Sequence, residues 1–302
     1  NQFLVEMEDD ESRAAHTSDD MEDASRISKK RGLSLRNLYY KMNHPQRGLC
    51  IIFNVENFAG RNQGMPSRSG SSVDVNEIRN TFGMLGFVVQ LHQDPTTSTV
   101  DDALFKASRR TENLQSDCFV CWILSHGKMG TVYTSDGELE LKHFVKHFTA
   151  DSTLEKKPKI FFVQACQAKE ESRSVSFPEK CTNGEFGKEA VGEATETPVT
   201  EGFSYRLPSY PDFLFAFAAP PGYYAFRNNV SGSCFVTYLC LVLRQCTAQT
   251  AVSDLVSLLI AVARKMAFEY ESKSRNESRD QKKQVLCFQS SLTKKLFLTW
   301  PQ

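Results

Sequence analysis

The sequence predicts an α/β fold in which helices cover both faces of a parallel-dominated sheet. Two observations carry this. From Gly48 onward, short unbroken apolar runs alternate with stretches of helical spacing, the mark of strands buried on both faces and joined by crossover helices. The 302 residues, 40% of them hydrophobic, also suffice to bury a sizeable core as one domain or as two small ones.

Residues 1–35 are expected to form a disordered arm. "EMEDDESRAAHTSDDMEDAS" is acidic and nearly without large apolar side chains, and the basic "RISKKRGLSLR" that follows reads as solvated linker. The first strand is "GLCIIFN". "VDVNEIRNTFGMLG" sets Val75, Ile78, Phe82 and Leu85 at helical spacing, with Gly86 as the stop. "FVVQL" is the second strand. "STVDDALFKASRR" is a helix with Ser98 or Thr99 as its cap and Asp101 and Asp102 in its first turn. "CFVCWIL" is the third strand, "ELKHFVKHFT" a helix and "KIFFVQ" the fourth strand. Residues 169–208 are polar with scattered Gly and Pro, longer than an ordinary connection. After them come the strand "FLFAFAA", the helices "SCFVTYLCLVLRQC" and "AVSDLVSLLIAVARKMAFEY" (the second opened by Ser253 and Asp254) and two closing strands, "VLCFQSS" and "KKLFLTW". This later block is too small to bury its own faces, so the two blocks are expected to complete one sheet.

Composition excludes several classes. Lys+Arg and Asp+Glu are both 36, and zero net charge gives no reason to expect nucleic acid or an anionic membrane as partner. No apolar run approaches the roughly 18 residues of a membrane span, and no charged-then-apolar start suggests a signal peptide. The first residue is Asn1 rather than methionine, as expected of a fragment lacking part of its N-terminus. Nine cysteines, an odd number lying mostly in apolar runs, predict a cytoplasmic protein rather than a disulfide framework. Cys118 and Cys121 form a CxxC, but residues three apart on a strand face opposite ways and make a poor metal or redox pair. His143 and His147 stand four apart on a helix without a third ligand, beside Lys142 and Lys146, and read as a cationic solvent face.

In an open parallel sheet, reacting groups gather at the carboxyl ends of the strands. Two strand ends carry reactive side chains: Ser125-His126-Gly127 after "CFVCWIL", and Gln164-Ala165-Cys166 closing "KIFFVQAC". A cysteine, whose unaided pKa is about 8.5, needs a base or an electropositive neighbour to act as a nucleophile at neutral pH. A histidine on a neighbouring strand end supplies one. Gly127 leaves a backbone N–H open to approach, suited to one arm of an oxyanion hole, and the N–H of Cys166 suits the other. Alone, each residue is more often packing; spacing by itself leaves both readings open.

The segments "LSHGKMG" and "QACQA" resemble the histidine and cysteine motifs of the caspases, whose cysteine signature is Q-A-C-[RQG]-G with an upstream His. "YYKMNHPQRGLCIIFNVENF", "GMPSRSGSSVDVNEIRNTF", "PDFLFAFAAPPGYYAFRN" and "SLTKKLFL" resemble caspase segments in the same order, so the likeness runs from about residue 38 to the end. It implies a three-layer α/β/α sandwich with a mostly parallel six-stranded sheet. It divides the chain into an arm (1–35), the large part of the domain (36–168), a linker (169–208) and the small part (209–302). It implies a zymogen of a cysteine endopeptidase cleaving after aspartate in apoptosis or related signalling, without metal or cofactor. In that reading Cys166 is the nucleophile, His126 the base and then acid, Gly127 and Cys166 the oxyanion donors, and the Pro66 carbonyl the group that orients His126. Arg68, Gln164 and Arg227 line the S1 pocket; two guanidiniums converging on one pocket suit a carboxylate. Tyr224 and Phe226 match the S2 wall, and Asn228 and Asn229 the positions that hold the substrate backbone. The expected partners are protein substrates with an acidic P1 residue, a homodimer of large/small heterodimers formed where "LTKKLFLTW" leaves an apolar edge, and inhibitor-of-apoptosis-type proteins or adaptors.

Three departures qualify the resemblance. Ala168 stands where the family has glycine; if that position needs φ > 0, alanine costs about 1 kcal/mol or more, which keeps a catalytically impaired, regulatory homologue as the alternative. No aspartate lies between Asp151 and Asp212, so maturation is expected either by a cut after a glutamate, Glu196 or Glu201, or by dimerisation with no cut, and Asp20 and Asp23 are cut sites in the arm. "ESKSRNESRD", where the family shapes S4, carries Lys273, Arg275 and Arg279 instead of aromatics; this is either a solvated charge run or a preference for an acidic P4 residue.

Overall fold

The structure, a computed structural model, describes residues 38–148, 151–167, 211–247, 253–272 and 280–298. Every element below lies in the unit Tyr40–Gln302. The strands are β1 (Gln46–Asn54), β2 (Phe87–Gln93), β3 (Ser116–Leu124), β4 (Gly127–Lys128), β5 (Thr131–Tyr133), β6 (Glu138–Glu140), β7 (Lys159–Gln164), β8 (Phe213–Phe217), β9 (Arg227–Asn228), β10 (Gly232–Ser233) and β11 (Cys287–Ser290). The helices are α1 (Ser71–Met84), α2 (Thr97–Arg109), α3 (Leu141–Val145), α4 (Cys234–Thr247) and α5 (Leu255–Glu269).

Six strands form the main sheet in the order β11-β8-β7-β3-β1-β2. All neighbours run parallel except β11, which is antiparallel to β8. The central strands β3, β7 and β8 are buried along their whole length, which is why their sequences are continuous apolar runs rather than alternations. One face packs on α1, α4 and α5 around Ile78, Phe82, Trp122, Phe162, Phe235 and Leu259. The other packs on α2 and α3 around Leu104, Phe119, Phe144 and Phe161. The three-layer sandwich and its six-stranded sheet are therefore as expected. Cys118 lies in the first of these cores and Cys121 in the second, so the CxxC is split across the sheet. On the second face Phe161 and Phe215, paired in register, stack at 4.6 Å, the cross-strand aromatic contact that fixes β7 against β8.

Several local expectations are corrected. The cap of α2 is Thr96, whose side chain accepts from Thr99 N, and its first turn holds no acidic residue. Asp101 falls one turn later and instead accepts from Lys146 Nζ at 2.5 Å and His147 Nε2 at 2.9 Å. "KKLFLTW" forms no sheet strand over its described residues: Leu296 and Leu298 point into the core. The carbonyls of Lys295 and Leu296 accept from Tyr40 N and Leu255 N rather than from a ladder. The sheet edge on that side is β11. Asp254 caps α5 as expected, accepting from Val256 N and Ser257 N. Two small sheets were not foreseen, the meander β4-β5-β6 and the ribbon β9-β10. Among the described residues no helix is long and apolar enough to cross a membrane.

A buried carboxylate ties Tyr40 and Thr293 to the sheet. Asp212, at φ 71 just before β8, accepts from Tyr40 Oη at 2.5 Å and Thr293 Oγ1 at 2.7 Å, while Tyr40 Oη accepts from Thr293 N at 3.0 Å. Burial, with Asp212 alongside, pushes the Tyr40 hydroxyl up to about 12, so it donates throughout the neutral range. Tyr40→Phe removes one donor to a carboxylate and is expected to cost about 1.5–3 kcal/mol, read as a lower urea midpoint at unchanged slope. An unchanged midpoint would refute this account of the tie.

Candidate active site

The site is built where three parallel strands end together. Asn54 of β1, Leu124 of β3 and Gln164 of β7 lie in one row of the sheet, and Ser125 N donates to Gln164 O at 3.2 Å. His126 and Cys166 each follow two residues after a member of that row. The matched register, not the sequence distance, brings the two strand ends side by side. Gly127 keeps them close. A Cβ there would lie 2.8 Å from Thr131 O and 3.0 Å from Cys166 O, so any side chain would push the cysteine segment away. That segment is tied onward, through Gln167 N to Tyr223 O at 3.0 Å and Gly222 N to Gln167 O at 2.7 Å.

His126 is held on two sides. Its Nε2 is 2.9 Å from Pro66 O; a carbonyl only accepts, so Nε2 carries the hydrogen and the neutral ring keeps Nδ1 as an acceptor. Phe58 stacks on the ring at 5.2 Å and 22°. Burial lowers the His126 pKa from 6.5, the Pro66 carbonyl opposes that, and the charges of Arg68 and Arg227 lower it further. The imidazole is therefore neutral near pH 7. Cys166 is partly exposed, with Sγ 3.8 Å from Ala225 O.

The two arginines meet beside this pair. Arg68 is 3% exposed, and its Nη1 donates to Val55 O at 2.8 Å, Leu124 O at 3.0 Å and Asn54 Oδ1 at 3.4 Å, capping the carboxyl ends of β1 and β3. Arg227 donates from Nη1 to Ser69 O at 2.5 Å and Asn229 Oδ1 at 3.4 Å. Among the described residues, neither forms an ion pair, and neither Nε nor Nη2 of either has a hydrogen-bond partner. Burial, and then the charge of Arg227, brings the Arg68 pKa down to about 10; burial likewise lowers Arg227. Both stay cationic at neutral pH. The Gln164 side chain is buried and its Oε1 has no hydrogen-bond partner.

The remaining expected residues fall around this centre. Phe226 lies 6.4 Å from Tyr270, ring to ring, with its N–H on Gln284 Oε1 at 2.7 Å; Tyr224 is half-buried in the same segment. Asn228 turns its Oδ1 back onto Val230 N at 2.8 Å and Ser231 N at 3.2 Å, shaping the ribbon turn. Ala168, Glu196, Glu201, Asp20, Asp23, Lys273, Arg275 and Arg279 lie outside the described residues. His147 pairs with Asp101, and among the described residues no group of three His, Cys, Asp or Glu could hold a metal ion. Sequence reasoning missed Phe58, Ala225 and Asp74. Only Asp74 left a signal, a carboxylate on the same helical stripe as Ile78 and Phe82.

Comparison with known proteins gives this geometry a context. The caspase domain profile matches residues 47–297. Caspase-3 of Felis catus is 35% identical over 260 residues, covering 85% of this chain and 86% of the relative. Caspase-7 of Gallus gallus is 34% identical over 261 residues, covering 85% and 79%. The crystal structure of caspase-1 from Spodoptera frugiperda aligns with a TM-score of 0.70 at 30% identity, covering 90% of this chain and 99% of that one. Homology of that extent, over the strands that bring Cys166, His126 and the two arginines together, shows that the chain belongs to the caspase family.

Proposed function

We propose that this chain is an active cysteine endopeptidase that cleaves proteins after aspartate, made as a zymogen and working in the cytoplasm in apoptosis or related signalling. The observation that carries the reading is the arginine pair: two cationic guanidiniums, with Nε and Nη2 unused, stand beside a cysteine–histidine pair of strand ends. A guanidinium edge of that kind matches a carboxylate bidentately. The neutral His126 takes the Cys166 thiol proton, and the sulfur attacks the carbonyl carbon of the P1 residue. The N–H groups of Gly127 and Cys166 receive the oxyanion. His126 then returns the proton to the leaving amine, and water, activated by the same ring, hydrolyses the thioester. Gln164 contributes to the P1 pocket, and Tyr224, Phe226, Asn228 and Asn229 to the neighbouring subsites. The large part (36–168) and small part (209–302) are separated by cleavage in the linker after Glu196 or Glu201, the arm is trimmed after Asp20 or Asp23, and two such heterodimers pair. Inhibitor-of-apoptosis-type proteins or adaptors are the further partners of this reading.

The test is hydrolysis of paired peptide reporters ending in Asp, Glu or Arg, with intact-mass analysis of the protein. Cleavage after Asp is expected, and Cys166→Ala is expected to remove it, a loss of a thousandfold or more, on the order of that seen when a nucleophile is deleted. Absence of hydrolysis by folded, dimeric, linker-cut protein would overturn the reading in favour of a regulatory homologue impaired at Ala168.

A further inference from the structure

Asp74 is a carboxylate in the core, 1% exposed, in the first turn of α1. A buried carboxylate is costly unless its oxygens are hydrogen-bonded. Here one oxygen accepts from Ser233 N at 2.7 Å and the other from Ser233 Oγ. Ser233 sits in β10, directly opposite Arg227 in the ribbon. The ribbon also presses on the helix start at two glycines. Gly232, at φ 80, approaches so closely that a Cβ would lie 2.6 Å from Asp74 Oδ1, and a Cβ at Gly70 would lie 2.1 Å from Asn229 O. Arg68 is joined to the same turn, its carbonyl accepting from Ser71 N at 3.0 Å. Both arginines are thus fixed to one helix end, one through the chain and the other through the Asp74–Ser233 bonds.

We propose that Asp74 is a positioning residue for recognition of an acidic P1 side chain, clamping the Arg227 ribbon of the small part onto the Arg68 turn of the large part. This deepens, and rests on, the reading of the arginine pair as a carboxylate pocket. The clamp joins segments on either side of the linker, Asp74 before it and Ser233 after it. The carboxylate also offsets the repulsion between two like charges that share a pocket, since both arginines lie within its field.

The experiment titrates fluorescent peptides carrying an internal Asp or Asn into Cys166→Ala protein, alone and combined with Asp74→Asn or Ser233→Ala, with melting temperatures measured in parallel. Asp74→Asn is expected to weaken binding of the Asp peptide about tenfold and to narrow the Asp-over-Asn preference. Ser233→Ala keeps the N–H donor and is expected to weaken it about threefold. With Cys166 intact, Asp74→Asn raises KM while kcat changes by less than about twofold. A merely structural role would lower the melting temperature and leave affinity and preference unmoved below it. Parental affinity and preference in folded Asp74→Asn would overturn the proposal while leaving the pocket standing. If that variant does not fold, Ser233→Ala decides by the same criterion. A parent that binds Asp and Asn peptides equally would overturn the pocket reading, and this proposal with it.

Discussion

Arg227→Gln is expected to lower kcat/KM on a reporter with aspartate at P1 by about a hundredfold to a thousandfold, as when one partner of a desolvated charge pair is removed. The loss arises because Arg68 alone cannot take its place. The Nη1 of Arg68 already holds Val55 O and Leu124 O, which leaves only its other nitrogens for a ligand. Glutamine removes the charge, but its amide stops at the position of the arginine Nε and gives up the Nη1 contact with Ser69 O, so the melting temperature measured alongside separates the charge effect from a folding effect. The discriminating quantity is the Asp:Asn ratio at P1, which should collapse toward one. Arg68→Lys tests the same pocket from the other side. It retains a charge, but an ammonium cannot hold the strand-end carbonyls and also present a planar fork, so activity and stability should fall together. An Asp:Asn ratio that survives Arg227→Gln would show that the carboxylate is read elsewhere.

The parts of this architecture that were legible in the sequence are those with a long signal. Strands β1, β3, β7 and β8 are buried on both faces, so their continuous apolar runs stand out against helical spacing. β9 and β10 are two residues each and β4 to β6 no longer than three, too short for any period to register. "KKLFLTW" misled because alternation at Leu296 and Leu298 says that one side faces the core, not where the backbone groups bond. The cap of α2 was misplaced by two or three residues because "TTST" offers cap chemistry at every position. At the site, His126 and Cys166 were readable as strand-end residues. The pairing of Arg68 with Arg227 was not, because nothing in a separation of that length says that two loops meet; it came from the family resemblance. Phe58 on His126 was invisible for the same reason.

His126→Ala is expected to lower kcat by about a hundredfold to ten-thousandfold, the range for loss of a positioned general base and acid, while leaving KM near that of the parent. The pH profile of the parent carries the same argument in a form that needs no mutation. Burial, helped by the two arginine charges, holds the folded-state pKa of His126 below 6.5. The acid limb of kcat/KM, which reports the free enzyme, should therefore have its midpoint below 6.5 and should be absent from the residual activity of His126→Ala. The sign for stability follows from the same shift. Between the folded-state pKa and the ordinary value, the unfolded chain binds the proton and the folded chain does not, so stability falls as pH is lowered through that window. Urea midpoints of the parent, compared with those of His126→Ala across the window, should therefore differ in slope against pH. An acid limb above 6.5 that persists in the variant would mean that another group activates Cys166. The Pro66 carbonyl and the Phe58 ring would then be holding a histidine that does not take the thiol proton.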